Sequence, residues 1–249
     1  MLSKEEIKRN HEICLELLDT FINVCNKYNI DYYLAFGSCL GAVRHKGFIP
    51  WDINIDVLMK DTEFKKLDEV MQKENLGNME WCCPDSRMFS LLRRKDSWDY
   101  ESKPNIDVSI YVNAPDNKLL RWLIFRLSYF NIKMYKLKNT KVKRAFPFNI
   151  LKMISNLFPN AFYLGFIKMM SRIKADSETE YTTVVLPSVW ENREYIKTVW
   201  YGKEPTYAQF EGRKVRILKN YDEYLTLRYG DYMTPKVWQD KGEYKHLAN

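Results

Sequence analysis

The sequence predicts an α+β fold: a mixed sheet flanked by helices, with a basic, aromatic-rich helical insertion. Three observations predict it. Residues 4–28 carry apolar side chains at three- and four-residue spacing, the period of one buried helical stripe. Short segments at 31–36, 53–57 and 105–112 read instead as strands, the last two alternating apolar with polar. Residues 118–174 hold thirteen Lys or Arg and no Asp or Glu, among large apolar side chains. At 249 residues, 46% of them apolar, the chain can bury a sizeable core as one domain, or as one domain with a helical elaboration.

In the first helix the stripe runs Ile7, His11, Cys14, Leu18, Phe21, Cys25 and Tyr28, and His11 reads as a half-buried packing histidine. A strand over Asp31–Phe36 and a short helix over Ser38–His45 follow, and Gly47 and Pro50 break that helix. The next strand, Ile53-Asn54-Ile55-Asp56-Val57, buries its three apolar residues and projects Asn54 and Asp56 side by side. Asp61-Thr62 would cap a helix over 62–75 that Gly77 ends. Strands are predicted at Glu80–Cys83 and Arg87–Arg94, and a better one at Asn105–Val112, with Asp107 the lone acid on its polar face.

Residues 118–175, punctuated by Pro147 and Pro159, predict about three helices. A Ser/Thr/Glu-rich loop spans Asp176–Thr183, a hairpin turns at Glu211-Gly212 within 206–218, and a helix over Tyr221–Tyr229 stops at Gly230. There are no repeats and no low-complexity segments.

Chemistry concentrates in Ala35–Leu58. Gly37-Ser38 after a strand, taken singly, marks only a turn, and two polar residues on a strand mark only its wet face. Together they suggest more. A helix opening at Ser38 offers backbone N–H groups to a phosphate, and clustered oxygen ligands on a strand suit Mg²⁺. Metal on one side and anion-binding amides on the other suit phosphoryl or nucleotidyl transfer.

The stretch GSCLGAVRHKGFIPWD (37–52), followed by a DxDxD-like element, resembles the signature of the LicD/fukutin-related family. The resemblance returns in Trp200-Tyr201-Gly202, Phe210-Glu211-Gly212, Tyr221–Leu225 and Tyr229–Pro235. It covers 1–110 and 195–235 well and 115–190 weakly. It implies a nucleotidyltransferase-like core over 1–115. Composition and charge mark 116–180 as a basic helical region, a membrane-surface or acceptor-binding element, and 181–249 is expected to form a C-terminal hairpin and helix packing back on the core.

The resemblance also implies an activity: transfer of a phosphocholine-like phospho-alcohol from a CDP-activated donor to a hydroxyl of a surface or lipid-linked glycan, as in lipopolysaccharide, teichoic acid or capsule. On that reading Asp56 and Asp107 are catalytic and, with Asn54, hold Mg²⁺ or Mn²⁺. Asp107 would also accept the acceptor's proton, and Asp52 would orient the site or join the ligands. Gly37, Ser38, Arg44 and Lys46 would bind donor phosphate, with Arg44 offering a planar fork and Lys46 a point charge. Tyr229 and Asp231 would contact substrate. The family has Asp where this chain has Asn54, so one negative charge beside the cation is missing. A tolerated variant, a substitution made to trap a complex, and a catalytically impaired homologue all fit; weakened metal binding and turnover are expected.

Net charge is +7, but outside 118–174 the chain has 26 basic and 32 acidic residues, so the basic excess is local. That segment predicts peripheral contact with an anionic membrane, with nucleic acid the less favoured partner. MLSKEEIKRN is charged throughout with no apolar run behind it, no ~18-residue apolar window occurs, and five cysteines lack ligand spacing. These features predict a cytoplasmic protein with free thiols at the inner face of the membrane. Two other classes stay open: an NTP-dependent nucleotidyltransferase, and a non-catalytic membrane- or nucleic-acid-binding protein.

Overall fold

The computed structural model describes residues 2–82, 90–96, 104–140, 148–170, 172–184 and 195–235. Part of the strand expected at Arg87–Arg94 lies outside them. The fold is α+β and divides into two compact units, residues 1–111 with 199–249 and residues 112–198. Residues 181–198, which the sequence groups with the C-terminal part, thus fall in the second unit.

In chain order the first unit begins with α1 (Lys4–Lys27), β1 (Tyr33–Leu34), α2 (Phe36–Arg44), β2 (Ile55–Lys60) and α3 (Asp61–Met71). Then come β3 (Met79–Cys82), β4 (Ser90–Arg94) and β5 (Ile106–Asn113). The second unit holds α4 (Lys118–Asn139), α5 (Phe148–Asn156), α6 (Asn160–Met170), β6 (Tyr181–Val184) and β7 (Tyr195–Lys197). The chain returns to the first unit with β8 (Thr206–Phe210), β9 (Arg213–Ile217) and α7 (Tyr221–Tyr229).

α1 starts on a capping box, in which Ser3 Oγ accepts the Glu6 N–H at 3.1 Å and the Glu6 carboxylate accepts the Ser3 N–H at 2.6 Å. Its stripe of Cys14, Leu17, Leu18, Phe21 and Cys25 is buried. Arg213 of β9 grips Asp19 of α1 with a two-pronged fork, at 2.6 and 2.7 Å. In the first unit's sheet the strand order is β1-β2-β5-β4-β3, with β2 and β5 parallel and the other neighbours antiparallel.

Several boundaries differ from expectation. β1 shrinks to two residues because Phe36, at φ 48°, already turns the chain into α2. β2 starts at Ile55, so Ile53 is only part-buried, and it runs on to Lys60 with Val57, Leu58 and Met59 all buried. A strand covered on both faces reads as an apolar run, so alternation marks only its start. Asp61 lies in the first turn of α3, where its charge suits the helix dipole, and the N-cap position is Lys60. α3 ends at Met71, and Gly77 serves a turn at φ 58°. Glu211 (φ 48°) and Gly212 (φ 77°) turn the β8–β9 hairpin.

The second unit contains the three expected helices. Residues 181–183, expected as the end of the Asp176–Thr183 loop, instead join Val184 in β6, whose pairing with β7 puts Tyr181 opposite Lys197. Cys14, Cys25 and Cys39 are buried free thiols, and Cys82 is a free thiol as well.

Candidate active site

The parallel pairing of β2 with β5 sets the site. The register puts Ile55 beside Ile106, Asp56 beside Asp107 and Val57 beside Val108. Neighbours at one level of a sheet share a face, so the four apolar side chains enter the core while the two carboxylates emerge together. Asn54, one residue ahead of β2, reaches both. Its Nδ2 donates to Asp56 Oδ1 and to Asp107 Oδ2, each at 3.3 Å. The three side chains expected to converge do so.

Burial, then the nearby charges of Asp107 and Asp52, holds the Asp56 carboxyl well above the ordinary carboxylate range. Arg228 of α7 and the Asn54 amide pull it the other way. Asp52 is pushed up to about 6, chiefly by burial, although the Ile53 and Asn54 N–H groups donate to it.

The N-terminus of α2 faces this cluster. Ala35 donates its N–H to Asp56 O at 3.0 Å, and Asp56 donates its own N–H to Ser38 Oγ at 2.8 Å. Ser38 is buried, and its hydroxyl therefore braces α2 against β2. Phe36 N–H is taken by the Tyr224 hydroxyl at 3.0 Å. Among the described residues no protein acceptor takes the N–H of Gly37 or Ser38. Asp52 Oδ2 lies 2.8 Å from where a Cβ on Gly37 would stand, so the glycine makes room for this carboxylate.

α1 steadies the approach. The His11 ring lies flat on Phe48 at 4.0 Å and its Nε2 bonds the Asp52 carbonyl at 2.7 Å, while the Cys14 thiol donates to Ile53 O at 3.2 Å. Burial lowers the His11 pKa and favours the neutral ring. His11 is thus the packing residue its position suggested, set directly behind the acids.

Arg44 donates from Nη1 to Tyr232 O at 2.7 Å and from Nε to His45 Nε2 at 2.9 Å. Part of its fork therefore ties α2 to the segment after α7. Lys46 is exposed at φ 57°. Its carbonyl accepts the Glu211 N–H at 2.8 Å, and Glu211 Oε1 accepts the Phe48 N–H at 3.3 Å, which seats the hairpin turn on the 46–48 loop. A Cβ on Gly47 would run into that carboxylate.

Tyr229 is part-buried, and its hydroxyl is pushed up to about 12 by burial, with Asp56 adding to the rise and Arg228 opposing it. Asp231 is exposed, and its Oδ1 accepts the Thr234 N–H at 3.3 Å in a turn.

Sequence reasoning missed two residues. Tyr224 and Arg228, four apart on α7, share one face: the first caps Phe36 N–H, and the second lies 4.2 Å over the Phe36 ring. Arg228 is the one basic residue within Tyr221–Pro235, a signal that was legible.

Among the described residues no three His, Cys, Asp or Glu side chains form a metal-holding group. The cluster instead offers two carboxylates and one amide.

Residues 29–152 match the family model described as LicD/FKTN/FKRP, nucleotidyltransferase domain. The chain is 28% identical over 253 residues to the lipopolysaccharide cholinephosphotransferase LicD of Haemophilus influenzae, covering 93% of each protein. It is 36% identical over 63 residues to an uncharacterized protein of Rickettsia prowazekii, covering 25% of this chain and 24% of the other.

Proposed function

The chain belongs to the LicD family, and from that premise we propose that it transfers a phosphocholine-like phospho-alcohol from a CDP-activated donor to a hydroxyl of a surface or lipid-linked glycan. The observation that carries the reading is the pairing of Asp56 with Asp107 in register across two parallel strands, opposite the α2 N-terminus. The activity in the Haemophilus influenzae relative's name, over 93% of both chains, supports the substrate class.

Two carboxylates held side by side in a half-buried face fit a divalent cation, which would offset the burial and the like charges that raise the Asp56 carboxyl above its ordinary range. Asp56, Asp107 and, after rotation of its amide, Asn54 Oδ1 would hold Mg²⁺ or Mn²⁺. Such an ion neutralises charge developing on a transferring phosphate and acidifies a nearby hydroxyl. The Gly37 and Ser38 N–H groups sit at the positive end of α2, where a donor phosphate is stabilised. The remaining donors of Arg44 and the charge of Lys46 would add to that attraction.

Asp107 would take the acceptor's proton. The acceptor oxygen then bonds to the phosphorus next to the alcohol, and the bond to CMP breaks with its electron pair leaving on CMP. Asp52 would act by holding the turn from Gly37 to Asn54 in shape.

The test is a donor screen. Incubated with CDP-choline, Mg²⁺ and a deacylated glycan acceptor, the chain is expected to release CMP, and Asp107→Asn to lose at least about a hundredfold in rate. Pyrophosphate release from an NTP, with none of CMP from CDP-alcohols, would overturn the reading in favour of a nucleotidyltransferase.

A further inference from the structure

Two helices of the second unit, α4 and α5, turn apolar stripes outward, although α4 also buries Phe125 and Met134. On α4, Leu119, Leu123, Leu127 and Phe130 recur at four, four and three residues and so share one face, yet each is 41–72% exposed. The buried positions on the same helix include Ser128 and Asn131, and Asn131 Nδ2 donates to Tyr163 O at 2.9 Å. α5 repeats the pattern. Ile150, Met153, Ile154 and, just past its end, Leu157 form one outward stripe, with Met153 70% and Leu157 77% exposed, while Ser155 is fully buried. A helix on a water-facing surface shows the reverse arrangement, with its apolar stripe inward.

Charge identifies what covers this face. Residues 118–174 contain thirteen basic residues and no acid, so the surface that complements them is anionic. Cations sit beside aromatic rings at its border: Arg126 lies 5.6 Å from the Trp122 ring and Lys133 5.3 Å from that of Tyr129. An aliphatic face rimmed by long basic side chains and amphipathic rings matches the acyl–headgroup boundary of a bilayer. A groove that tracks nucleic-acid phosphates would need stacking rings and cations, not an aliphatic stripe.

Length decides the depth. α5 has 9 residues and α6 has 11, bent 87° to each other. At 1.5 Å per residue neither covers more than about 17 Å of a hydrocarbon core roughly 30 Å thick. No single helix among the described residues is long and apolar enough to cross a membrane.

We propose that α4–α6 form a docking face for an anionic lipid bilayer, and that the α5–α6 elbow at Leu157 enters the acyl region of the near leaflet only. The inference stands apart from the transferase reading, because lipid binding needs neither donor nor acceptor.

The experiment is flotation of the full chain, in EDTA, with vesicles of phosphatidylcholine alone or with about one-third phosphatidylglycerol. The chain is expected to float with the anionic vesicles and not with the neutral ones, and to lose roughly tenfold in partition between about 0.1 and 0.5 M salt. Met153→Glu and Leu157→Glu, both at exposed positions, are each expected to lower partition at least about fivefold with an unchanged circular dichroism spectrum. Equal partition of both variants with the wild type would overturn the proposal. So would failure of the wild type to float, whether it then binds a polyuridylate oligonucleotide or self-associates through the same residues.

Discussion

Gly37 and Asp52 occupy each other's space: a side-chain carbon on the first would stand 2.8 Å from a carboxylate oxygen of the second. Gly37→Ala therefore forces Asp52 out of its place between β2 and the α2 N-terminus. Alanine gains about 1 kcal/mol of helix propensity, which offsets the displacement. The melting temperature should change little while CMP release falls at least about tenfold. A variant with full activity would show that the position of Asp52 is immaterial.

Asp52 also predicts a pH dependence. Its folded pKa of about 6 lies above the ordinary 3.8, so the folded chain holds this proton longer than the unfolded one. The resulting destabilisation is absent below 3.8, grows between 3.8 and about 6, and is complete above that. Asp52→Asn removes the charge. Relative to wild type it should gain more stability at pH ~8 than at pH ~3.5, with a ceiling of about 3 kcal/mol. Denaturant melts at the two pH values measure this, and identical differences would contradict it.

Asn54→Asp should reverse the sign of a stability effect with metal. The Asn54 amide now donates to both carboxylates, whereas a third carboxylate would repel them. The variant is expected to melt several degrees lower than wild type in EDTA, and to recover more than wild type on adding Mg²⁺ or Mn²⁺. Equal metal-induced shifts in the two proteins would remove residue 54 from the ligand set.

Gly41→Ala should destabilise without any chemistry being involved. A Cβ there would overlap the Gly47 carbonyl oxygen, a backbone atom that cannot swing away, at the point where Gly47 N–H bonds Gly41 O at 3.3 Å. A loss of about 1–3 kcal/mol in urea unfolding is expected, far more than an ordinary helical glycine would give.

Arg228→Ala removes the cation that faces Asp56 and covers the Phe36 ring. CMP release should fall at least about tenfold, with partial rescue in Arg228→Lys, which restores the charge without the planar stack. Wild-type rates in the alanine variant would show that the guanidinium plays no part.

Much of this site was readable because its parts are local. Asn54 and Asp56 are two apart where a strand begins, and Gly37-Ser38 lies in the first turn of the helix before it, so period and turn chemistry suffice to find them. Asp107 stood out as a lone acid on an alternating strand, although only the pairing of β2 with β5 brings it to Asp56. The contributions of Tyr224 and Arg228 depend on where α7 docks, and no short-range pattern encodes that. β6 was lost because Tyr181-Thr182-Thr183-Val184 has loop-like neighbours and pairs with only three residues of β7. The polarity of α4 was hidden for a related reason: its outward apolar stripe has the same period as a buried one.

The Tyr224 hydroxyl reaches Phe36 across 188 residues of chain. During synthesis the ribosome therefore releases the Gly-Ser turn and both acids long before the helix that caps and charges them. Residues 112–198 must all be synthesised before α7 closes that gap, a late and entropically costly step. A chain halted before Tyr221 would hold Asn54, Asp56 and Asp107 yet lack the cap on Phe36, and is expected to be inert.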